Sequence, residues 1–187
     1  MDSVLIKWSK LLAMALRHKP EAVGIELDEH GWAEVAAVIG AFNKVGVFNL
    51  PMLETIVRDD EKKRYAFSED KTRIRANQGH SVQVDVGLTE AAPLAALYHG
   101  TGMKYVESIN REGVLPRQRL YVHLSGDIAT ARSVGRRHGK PFVYKVLAGA
   151  MAEAGYKFYL SANEVWLTER VPAEFLRESG EEPQAKA

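Results

Sequence analysis

A break in hydrophobic patterning at residues 81–93 limits the fold of this 187-residue chain more than any other feature. Apolar residues recur at helical or strand spacing on both sides of it, whereas the break has weak periodicity and contains two alanines followed by proline. A chain of this length forms one large domain or two small ones. The break predicts two domains, over residues 1–85 and 94–178, with a polar, disordered tail at 179–187.

The first half of the sequence predicts three helices and a hairpin. Apolar residues at three- and four-residue intervals define a first helix that ends at Arg17, a second helix follows, and Asn49 caps a third. Alternation at 25–27 suggests a short strand, and residues 65–67 and 73–75 flank a polar loop. This order is typical of a winged helix, a fold that binds nucleic acid or docks to protein. The balanced charge of this half does not decide between the two.

The second half alternates short strand-like segments with helices. The predicted strands are rich in β-branched and aromatic residues and lie at 120–124, 142–146, 158–160 and 165–167. Helices, each closed by a glycine, are predicted at 104–112 and 127–137. The predicted fold class is therefore α+β, with much of the sheet in the second domain antiparallel.

Composition excludes several kinds of site and predicts a location. The chain has no cysteine, which rules out disulfides, zinc–thiolate sites and cysteine nucleophiles. No apolar run is long enough to span a membrane, and the N-terminus lacks the pattern of a signal peptide. We expect a cytoplasmic protein that works away from membranes, as a monomer.

Residues 98–145 carry an excess of positive charge. They contain nine Lys and Arg residues against three acidic ones, in a chain with a formal net charge of +1. Such a segment predicts a surface for anions. His99, His123 and His138 lie in the same stretch and offer a possible metal site, but no carboxylate or helical histidine pair stands at ligand spacing. We expect no metal.

Three arginines stand at the edges of predicted elements. Arg17 ends the first helix, Arg64 opens the hairpin and Arg119 precedes a strand. A guanidinium presents a planar fork of donors that matches phosphate oxygens, and it keeps its charge near neutral pH. Each arginine taken alone is better explained as a solvated surface charge.

Eight short motifs become specific when they are taken together in order. They lie between residues 9 and 168 and read Ser-Lys-Leu-Leu to Leu-Arg-His-Lys-Pro at 9–20, Leu-Asp and Gly-Trp at 27–32, Lys-Lys-Arg-Tyr at 62–65, Ile-Arg-Ala-Asn-Gln-Gly-His-Ser at 74–81, Tyr-His-Gly-Thr at 98–101, Tyr-Val-His-Leu-Ser at 121–125, Gly-Arg-Arg-His-Gly at 135–139 and Val-Trp-Leu-Thr at 165–168. A single tetrapeptide is weak. The full series resembles the RNA 2′-phosphotransferase family, whose bacterial members are called KptA.

The resemblance implies both a fold and a reaction. The first domain would be a winged-helix lobe for RNA and phosphate, and the second an ADP-ribosyltransferase-like α/β lobe for NAD⁺, with a split, largely antiparallel sheet. Family members transfer an internal 2′-phosphate, of the kind left at a tRNA splice junction, to NAD⁺ through an ADP-ribosylated RNA phosphate. The products are RNA with a 2′-hydroxyl, ADP-ribose 1″,2″-cyclic phosphate and nicotinamide.

By motif, the essential Arg-His-Arg-Arg tetrad of the family falls on Arg17, His18, Arg64 and Arg119. The nucleophile of the first step is an anionic phosphate, so alignment matters more than a strong base. Fixed guanidinium groups suit the charge that develops in the second step. His18 is a candidate for holding the phosphate or moving the proton of the attacking hydroxyl, the alternative being a helix-terminal histidine beside the helix dipole.

The resemblance assigns further residues to the two substrates. The NAD⁺ set is His99, Gly100, Thr101, His123, Leu124 and Ser125. Arg136 and His138, with Arg132, are candidates for either the NAD⁺ pyrophosphate or the RNA backbone. RNA or its phosphate would contact Arg75, Gln78 and His80. For Arg75 and His80 the alternative is structural bracing.

One position departs from the family pattern. Glu164 precedes Val165 where many members have glycine, and ADP-ribosyltransferases that modify proteins commonly carry a catalytic glutamate near this strand. Because side chains alternate along a strand, Glu164 would face away from a pocket lined by Val165, and we interpret it as a surface change. Trp32 and Trp166 are expected in the core rather than as base-stacking platforms.

Two other functions stay open at this level. One is an ADP-ribosyltransferase that caps terminal phosphates of nucleic acids, or modifies protein, and stops after the first step. The other is an RNA-binding module without activity, against which the intact tetrad argues.

Overall fold

The computed structural model describes residues 3–179, which divide into two compact units. The first unit comprises the chain up to Leu88 together with Gln118–Leu120, and the second comprises Thr89–Arg117 and the chain from Tyr121 onward. The predicted tail at 179–187 lies outside the described residues from position 180. No helix within residues 3–179 is long and apolar enough to cross a membrane.

Three helices of the first unit follow the predicted pattern. They are α1 (Ser3–Arg17), α2 (Val35–Asn43) and α3 (Leu50–Arg58). Leu12 and Leu16 on α1 are fully buried, and each such side chain contributes about 1.5–3 kcal/mol through removal from water. The predicted cap of α3 is confirmed, since the Asn49 side chain accepts a hydrogen bond from the Met52 N–H at 3.1 Å.

A three-stranded antiparallel sheet completes the first unit. Its strands are β1 (Trp32–Glu34), β2 (Tyr65–Phe67) and β3 (Arg73–Ala76), in the order β1-β3-β2. Strand alternation buries Ile74 and Ala76 and leaves Arg73 and Arg75 on the opposite face. The predicted hairpin is confirmed. The strand predicted at 25–27 is wrong, because the Ile25 N–H donates to the Pro20 carbonyl in a turn and pairing begins only at Trp32.

The second unit combines three helices with two antiparallel sheets. Its helices are α4 (Val106–Glu112), α5 (Ile128–Gly135) and α6 (Ala148–Glu153). One sheet has the order β10-β7-β5, built from β5 (Leu97–Gly102), β7 (Pro141–Val146) and β10 (Leu176–Glu178). The other has the order β4-β8-β9-β6, built from β4 (Thr89–Glu90), β6 (Val122–Leu124), β8 (Tyr159–Leu160) and β9 (Trp166–Thr168). The α+β content and the antiparallel pairing agree with the prediction.

Two sequence-based details of the second half need correction. The strand predicted at 120–124 begins only at Val122, since Leu120 belongs to the first unit. Glu164 and Val165 do not lie on a strand. Glu164 has φ +61 and its N–H donates to the Ser161 carbonyl at 2.9 Å, so both residues form a turn before β9 and strand alternation does not apply to them. Glu164 is nevertheless exposed, as a surface residue would be.

Close packing of β5 against α5 requires glycine at one position. A Cβ built on Gly100 would lie 1.6 Å from the Ala131 carbonyl oxygen of α5. No side chain fits there, so the backbone of β5 approaches the helix directly. This contact fixes the position of His99 and Thr101 on either side of Gly100.

Candidate active site

Arg17 is buried at the last residue of α1 with two donors unused. It is 9% exposed, and within the described chain its Nε and Nη2 groups have no hydrogen-bond partner. Its guanidinium carbon lies 5.9 Å from the centre of the Tyr65 ring. Burial, reinforced by the charges of Arg64 and Arg119, lowers the Arg17 pKa to about 10, so it remains charged at pH 7. A buried cation with unused donors is costly, which indicates an anion-binding position.

His18 follows Arg17 and is oriented by Ser81. The His18 Nδ1 atom lies 3.0 Å from the Ser81 hydroxyl oxygen, and the Ser81 N–H donates to the Arg17 carbonyl at 2.8 Å. Burial lowers the His18 pKa, and the charges of Arg17 and Arg119 lower it further. His18 is therefore neutral at pH 7. An anion between these cations would raise that pKa again and allow the imidazole to donate.

Asp60 fixes the side chain of Arg64. The Asp60 carboxylate is almost fully buried, forms an ion pair with the Arg64 Nη1 group, and accepts a hydrogen bond from the Arg64 backbone N–H at 2.6 Å. It also accepts from the Lys62 N–H at 3.3 Å. One carboxylate thus holds the backbone and one nitrogen of the guanidinium, and the side chain of Arg64 stays 30% exposed.

Asn77 ties the same loop to the end of β3. Its side-chain amide donates to the Lys63 carbonyl at 2.7 Å, and its backbone N–H donates to the Arg64 carbonyl at 2.8 Å. Lys63 has φ +43, an uncommon conformation for a residue with a side chain. Because the loop is tied at Asp60 and at Asn77, Arg64 is held before any ligand arrives.

Arg119 belongs to the first unit, although its sequence position lies within the predicted second domain. The segment Gln118–Leu120 groups with the first unit, and the Leu120 N–H donates to the His80 carbonyl at 3.0 Å. The charge of Arg119 lowers the pKa of both Arg17 and His18. The structure therefore brings all four predicted tetrad residues together in one unit. We call Arg17, Arg64 and Arg119 the arginine cluster.

The predicted RNA-side residues border the arginine cluster. Arg75 lies on β3 with its guanidinium carbon 4.5 Å from the centre of the half-buried Trp32 ring, and its Nε has no partner among the described residues. Gly79, with φ +90, lies directly against Arg17, since a Cβ there would sit 3.6 Å from the Arg17 guanidinium carbon. The neighbouring Gln78 is half-buried.

His80 is a buried neutral imidazole beside these cations. It is 3% exposed, and in the part of the chain that is described its Nε2 has no hydrogen-bond partner. Burial is the main reason that its pKa falls to about 4, and the charges of Arg17, His18 and Arg75 add to the effect. The unfolded chain therefore binds a proton at pH 5 that the folded chain does not.

This depressed pKa predicts an acid-sensitive fold. The stabilisation is present above the unfolded pKa of 6.5 and is lost as the pH falls towards about 4. Between pH 7 and pH 4.5, His80 should cost about 2 kcal/mol of unfolding free energy, and His80→Gln should remove that cost. Urea unfolding at both pH values measures it, with His30→Gln, which replaces an exposed imidazole, as the control. An equal loss in wild type and His80→Gln would refute the buried neutral state.

In the second unit, His99 holds a defined tautomer. Its Nδ1 lies 3.3 Å from the His123 carbonyl oxygen, which only accepts hydrogen bonds, so Nδ1 carries the proton. Burial lowers the His99 pKa, and the nearby His138 lowers it too, while the bond to the His123 carbonyl opposes them. The neutral ring therefore presents a lone pair on Nε2, which can accept a hydrogen bond from a hydroxyl group.

The remaining candidates of the second unit lie on or beside the same two strands. The backbones of Tyr98 and Ser125 exchange hydrogen bonds of 2.9 and 2.8 Å, which joins β5 to the end of β6. This pairing brings together the predicted dinucleotide set of His99, Gly100, Thr101, His123, Leu124 and Ser125. Thr101 is 5% exposed and Leu124 is buried. Their side chains therefore help to form the surface around His99 and are not available for hydrogen bonds with a ligand.

Arg136 and His138 lie in a 3₁₀ turn against the end of β5. A Cβ on Gly102 would lie 2.5 Å from the His138 carbonyl oxygen, which shows how closely the turn packs on the strand. Both side chains are exposed. Within residues 3–179, no group of three or more His, Asp or Glu side chains is placed to hold a metal ion.

Three residues of this site were missed by sequence reasoning. Asp60, Asn77 and Ser81 position Arg64 and His18 rather than resembling reactive groups themselves. Asp60 did leave a signal, since an acid four residues before an arginine in a short loop can reach its side chain. Asn77 and Ser81 lie within one of the recognised motifs, but their partners are distant in sequence.

Comparison with known proteins agrees with the resemblance. A family model described as RNA 2′-phosphotransferase, Tpt1 / KptA family, matches residues 3–170. A protein of Nostoc punctiforme is 51% identical over 178 residues, which cover 94% of this chain and 98% of that protein. One from Flavobacterium johnsoniae is 48% identical over 169 residues, covering 90% and 93%. An Escherichia coli protein is 46% identical over 177 residues, covering 94% and 96%. Each is named probable RNA 2′-phosphotransferase.

Proposed function

The chain belongs to the RNA 2′-phosphotransferase family, and from that premise we propose that it removes an internal 2′-phosphate from RNA in an NAD⁺-dependent reaction. The observation that carries the proposal is the arginine cluster. Arg17 has two buried donors without partners, and the charges of Arg64 and Arg119 already depress its pKa. Such a cluster is unfavourable until a multiply charged anion fills it, and a phosphate monoester carries close to two charges at pH 7.

Bound NAD⁺ would supply the acceptor, so that the 2′-phosphate leaves RNA through an ADP-ribosylated intermediate as ADP-ribose 1″,2″-cyclic phosphate, with release of nicotinamide. We propose that His99 accepts a hydrogen bond from a ribose hydroxyl through its Nε2 lone pair. The backbone of Gly100, which is fixed by α5, offers polar groups at a constant position. Thr101, His123, Leu124 and Ser125 complete this set, and the defined tautomer of His99 supports the fit to the dinucleotide.

The arginine cluster has two tasks in this proposal. First, Arg17, Arg64 and Arg119 hold the phosphate in one orientation as nucleophile, so the step depends on alignment rather than on proton removal. Second, their fixed donors stabilise the negative charge that develops on phosphate oxygens when the phosphate leaves RNA. Asp60 keeps Arg64 in place through both steps.

His18 handles the proton in this proposal. Burial and the neighbouring arginines lower its pKa, and the bound phosphate raises that pKa again, so the ring can both accept and donate a proton. It would accept the proton of the attacking hydroxyl and donate it to the RNA 2′-oxygen that leaves the phosphorus, which gives the 2′-hydroxyl of the product. Ser81 keeps the ring in place through its contact with Nδ1. Arg75, Gln78 and His80 border the same cluster and would contact the RNA beside the phosphate.

We further propose that the first unit acts as a winged helix and the second as an ADP-ribosyltransferase-like lobe. Three helices followed by a β-hairpin support the first assignment. The pair of small antiparallel sheets, with α5 packed on β5, supports the second. The natural substrate would be RNA of the tRNA splice-junction type, encountered by a monomer in the cytoplasm, where RNA and NAD⁺ are both present.

A competition assay tests the proposed function. Two oligoribonucleotides, one with an internal 2′-phosphate and one with a 5′-terminal phosphate, are incubated with the protein, with and without NAD⁺, and the masses of the RNA products are compared. The first RNA should lose one phosphate only when NAD⁺ is present, while the second stays unchanged. An ADP-ribose adduct that accumulates on either RNA would instead identify a capping enzyme. Binding without any change of mass would identify a non-catalytic module.

A further inference from the structure

We propose that an exposed surface on the second unit binds single-stranded RNA. This basic–aromatic patch lies on two neighbouring 3₁₀ turns, Met103–Tyr105 and Arg136–His138, and on Lys140 just beyond the second turn. It consists of Lys104, Tyr105, Arg136, Arg137, His138 and Lys140. The identity of the ligand rests on the RNA 2′-phosphotransferase function proposed above. The proposal also assigns Arg136 and His138 to RNA, which is one of the two roles left open for them above.

The charges of the patch are unbalanced. Residues 128–152 contain five Lys and Arg residues and no acid. Other exposed cations of the unit do have such partners, among them Arg111 with Glu112 at 2.9 Å and Lys157 with Glu90 at 3.0 Å. Among the described residues, no carboxylate forms an ion pair with the four Lys and Arg side chains of the patch. Unneutralised cations on an exposed surface attract a polyanion.

Tyr105 adds an aromatic surface among these cations. Its side chain is 42% exposed, unusually open for a large aromatic residue. The His138 ring meets it edge-on at 6.2 Å between ring centres, and the Lys104 ammonium group lies 5.0 Å from the tyrosine ring centre. Proteins that bind single strands combine stacking aromatics with cations that follow the backbone. An acidic peptide would use the cations alone, so the exposed ring favours RNA.

The two turns are locked side by side before any ligand binds. The Met103 N–H donates to the Lys140 carbonyl at 2.9 Å, which joins the start of one turn to the end of the other. Gly102 has no room for a Cβ against the His138 carbonyl. Because the backbone of both turns is fixed before RNA binds, little conformational entropy is lost on binding.

The patch also lies beside the dinucleotide set. His138 is close enough to His99 for its charge to influence that ring. RNA held on the patch would therefore run past the position where His99 is expected to hold the nicotinamide ribose. In this arrangement Arg136 and His138 contact the RNA backbone, and the NAD⁺ pyrophosphate is held without them.

Direct binding tests the patch independently of catalysis. A fluorescein-labelled single-stranded 20-mer RNA without any 2′-phosphate is titrated by anisotropy against wild type and variants at several salt concentrations. Arg137→Ala with Lys140→Ala should weaken binding on the order of tenfold at 0.1 M salt and lower the slope of log Kd against log salt by roughly 1.4. The matched control, Arg111→Ala with Lys157→Ala, removes two exposed cations that have partners and should change Kd less than twofold.

Tyrosine variants separate stacking from charge. Tyr105→Ala should weaken RNA binding about tenfold, whereas Tyr105→Phe should bind like wild type, because the phenyl ring still stacks on a base. Three results would overturn the proposal: unchanged RNA affinity in Tyr105→Ala, a poly-aspartate peptide that binds as tightly as RNA, or a tenfold rise in the KM for NAD⁺ in Arg136→Ala. Failure of wild type to transfer a 2′-phosphate would count against the proposed function and leave these affinities unaffected.

Discussion

Replacing Arg17 by methionine should make the protein more stable and nearly inactive. Arg17→Met should raise the unfolding free energy by about 1 kcal/mol, because it removes a buried charge with two unused donors and keeps most of the side-chain volume. The same change should lower kcat/KM for 2′-phosphotransfer by about a thousandfold, since the phosphate loses a fixed charged partner. Chemical denaturation and initial rates measure the two effects.

Arg58 provides a control for the predicted gain in stability and loss of activity in Arg17→Met. Arg58 ends α3 as Arg17 ends α1, but it is exposed and pairs with Asp59 at 2.8 Å. Arg58→Met should therefore neither stabilise the fold nor reduce activity by more than twofold. If Arg17→Met destabilised the protein, Arg17 would be a structural residue, and the unused donors would not mark a phosphate site.

Asp60→Asn should lower kcat/KM about a hundredfold, although we expect Asp60 to act on the substrate only through Arg64. The substitution keeps the shape of the side chain but removes the charge that holds the Arg64 guanidinium and two backbone N–H groups. A displacement of about 1 Å in a positioned group costs about this much. Loss of a buried charged partner should also reduce the unfolding free energy by about 2–3 kcal/mol.

Combining Asp60→Asn with Arg64→Ala shows whether Asp60 acts by positioning Arg64 or by stabilising the fold in general. If Asp60 acts through Arg64, then Asp60→Asn should cost less than threefold in activity when Arg64 is already alanine. A full hundredfold loss in the Arg64→Ala protein would mean that Asp60 has only a structural role and does not act through Arg64. Asp59→Asn, one residue away at an exposed ion pair, should leave both activity and stability unchanged.

Local elements of this chain were predictable because their signals are local. The apolar spacing that ends at Arg17, the Asn49 cap and the hairpin around residues 68–72 all depend on residues within a few positions of one another. The strand predicted at 25–27 failed because alternation over three residues does not distinguish a strand from an extended turn. Glu164 was placed on a strand for the same reason, while its positive φ belongs to the turn before β9.

The sequence identified the residues of the candidate site but not the contacts that position them. Motif order identified Arg17, His18, Arg64 and Arg119, yet sequence position put Arg119 in the second domain, since a three-residue return of the chain to the first unit has no compositional signal. The tautomer of His99 depends on a backbone carbonyl 24 residues away. Ser81 lies 63 residues from His18, so only the folded chain reveals that contact.

The fate of the phosphorus atom tests the central claim most directly. An oligoribonucleotide carrying ³²P in its internal 2′-phosphate is incubated with wild-type protein and NAD⁺, and labelled products and nicotinamide are quantified together. The account predicts that the label appears in ADP-ribose 1″,2″-cyclic phosphate, with one nicotinamide released for each phosphate transferred. Label released as inorganic phosphate, or retained on the RNA while nicotinamide is formed, would contradict it.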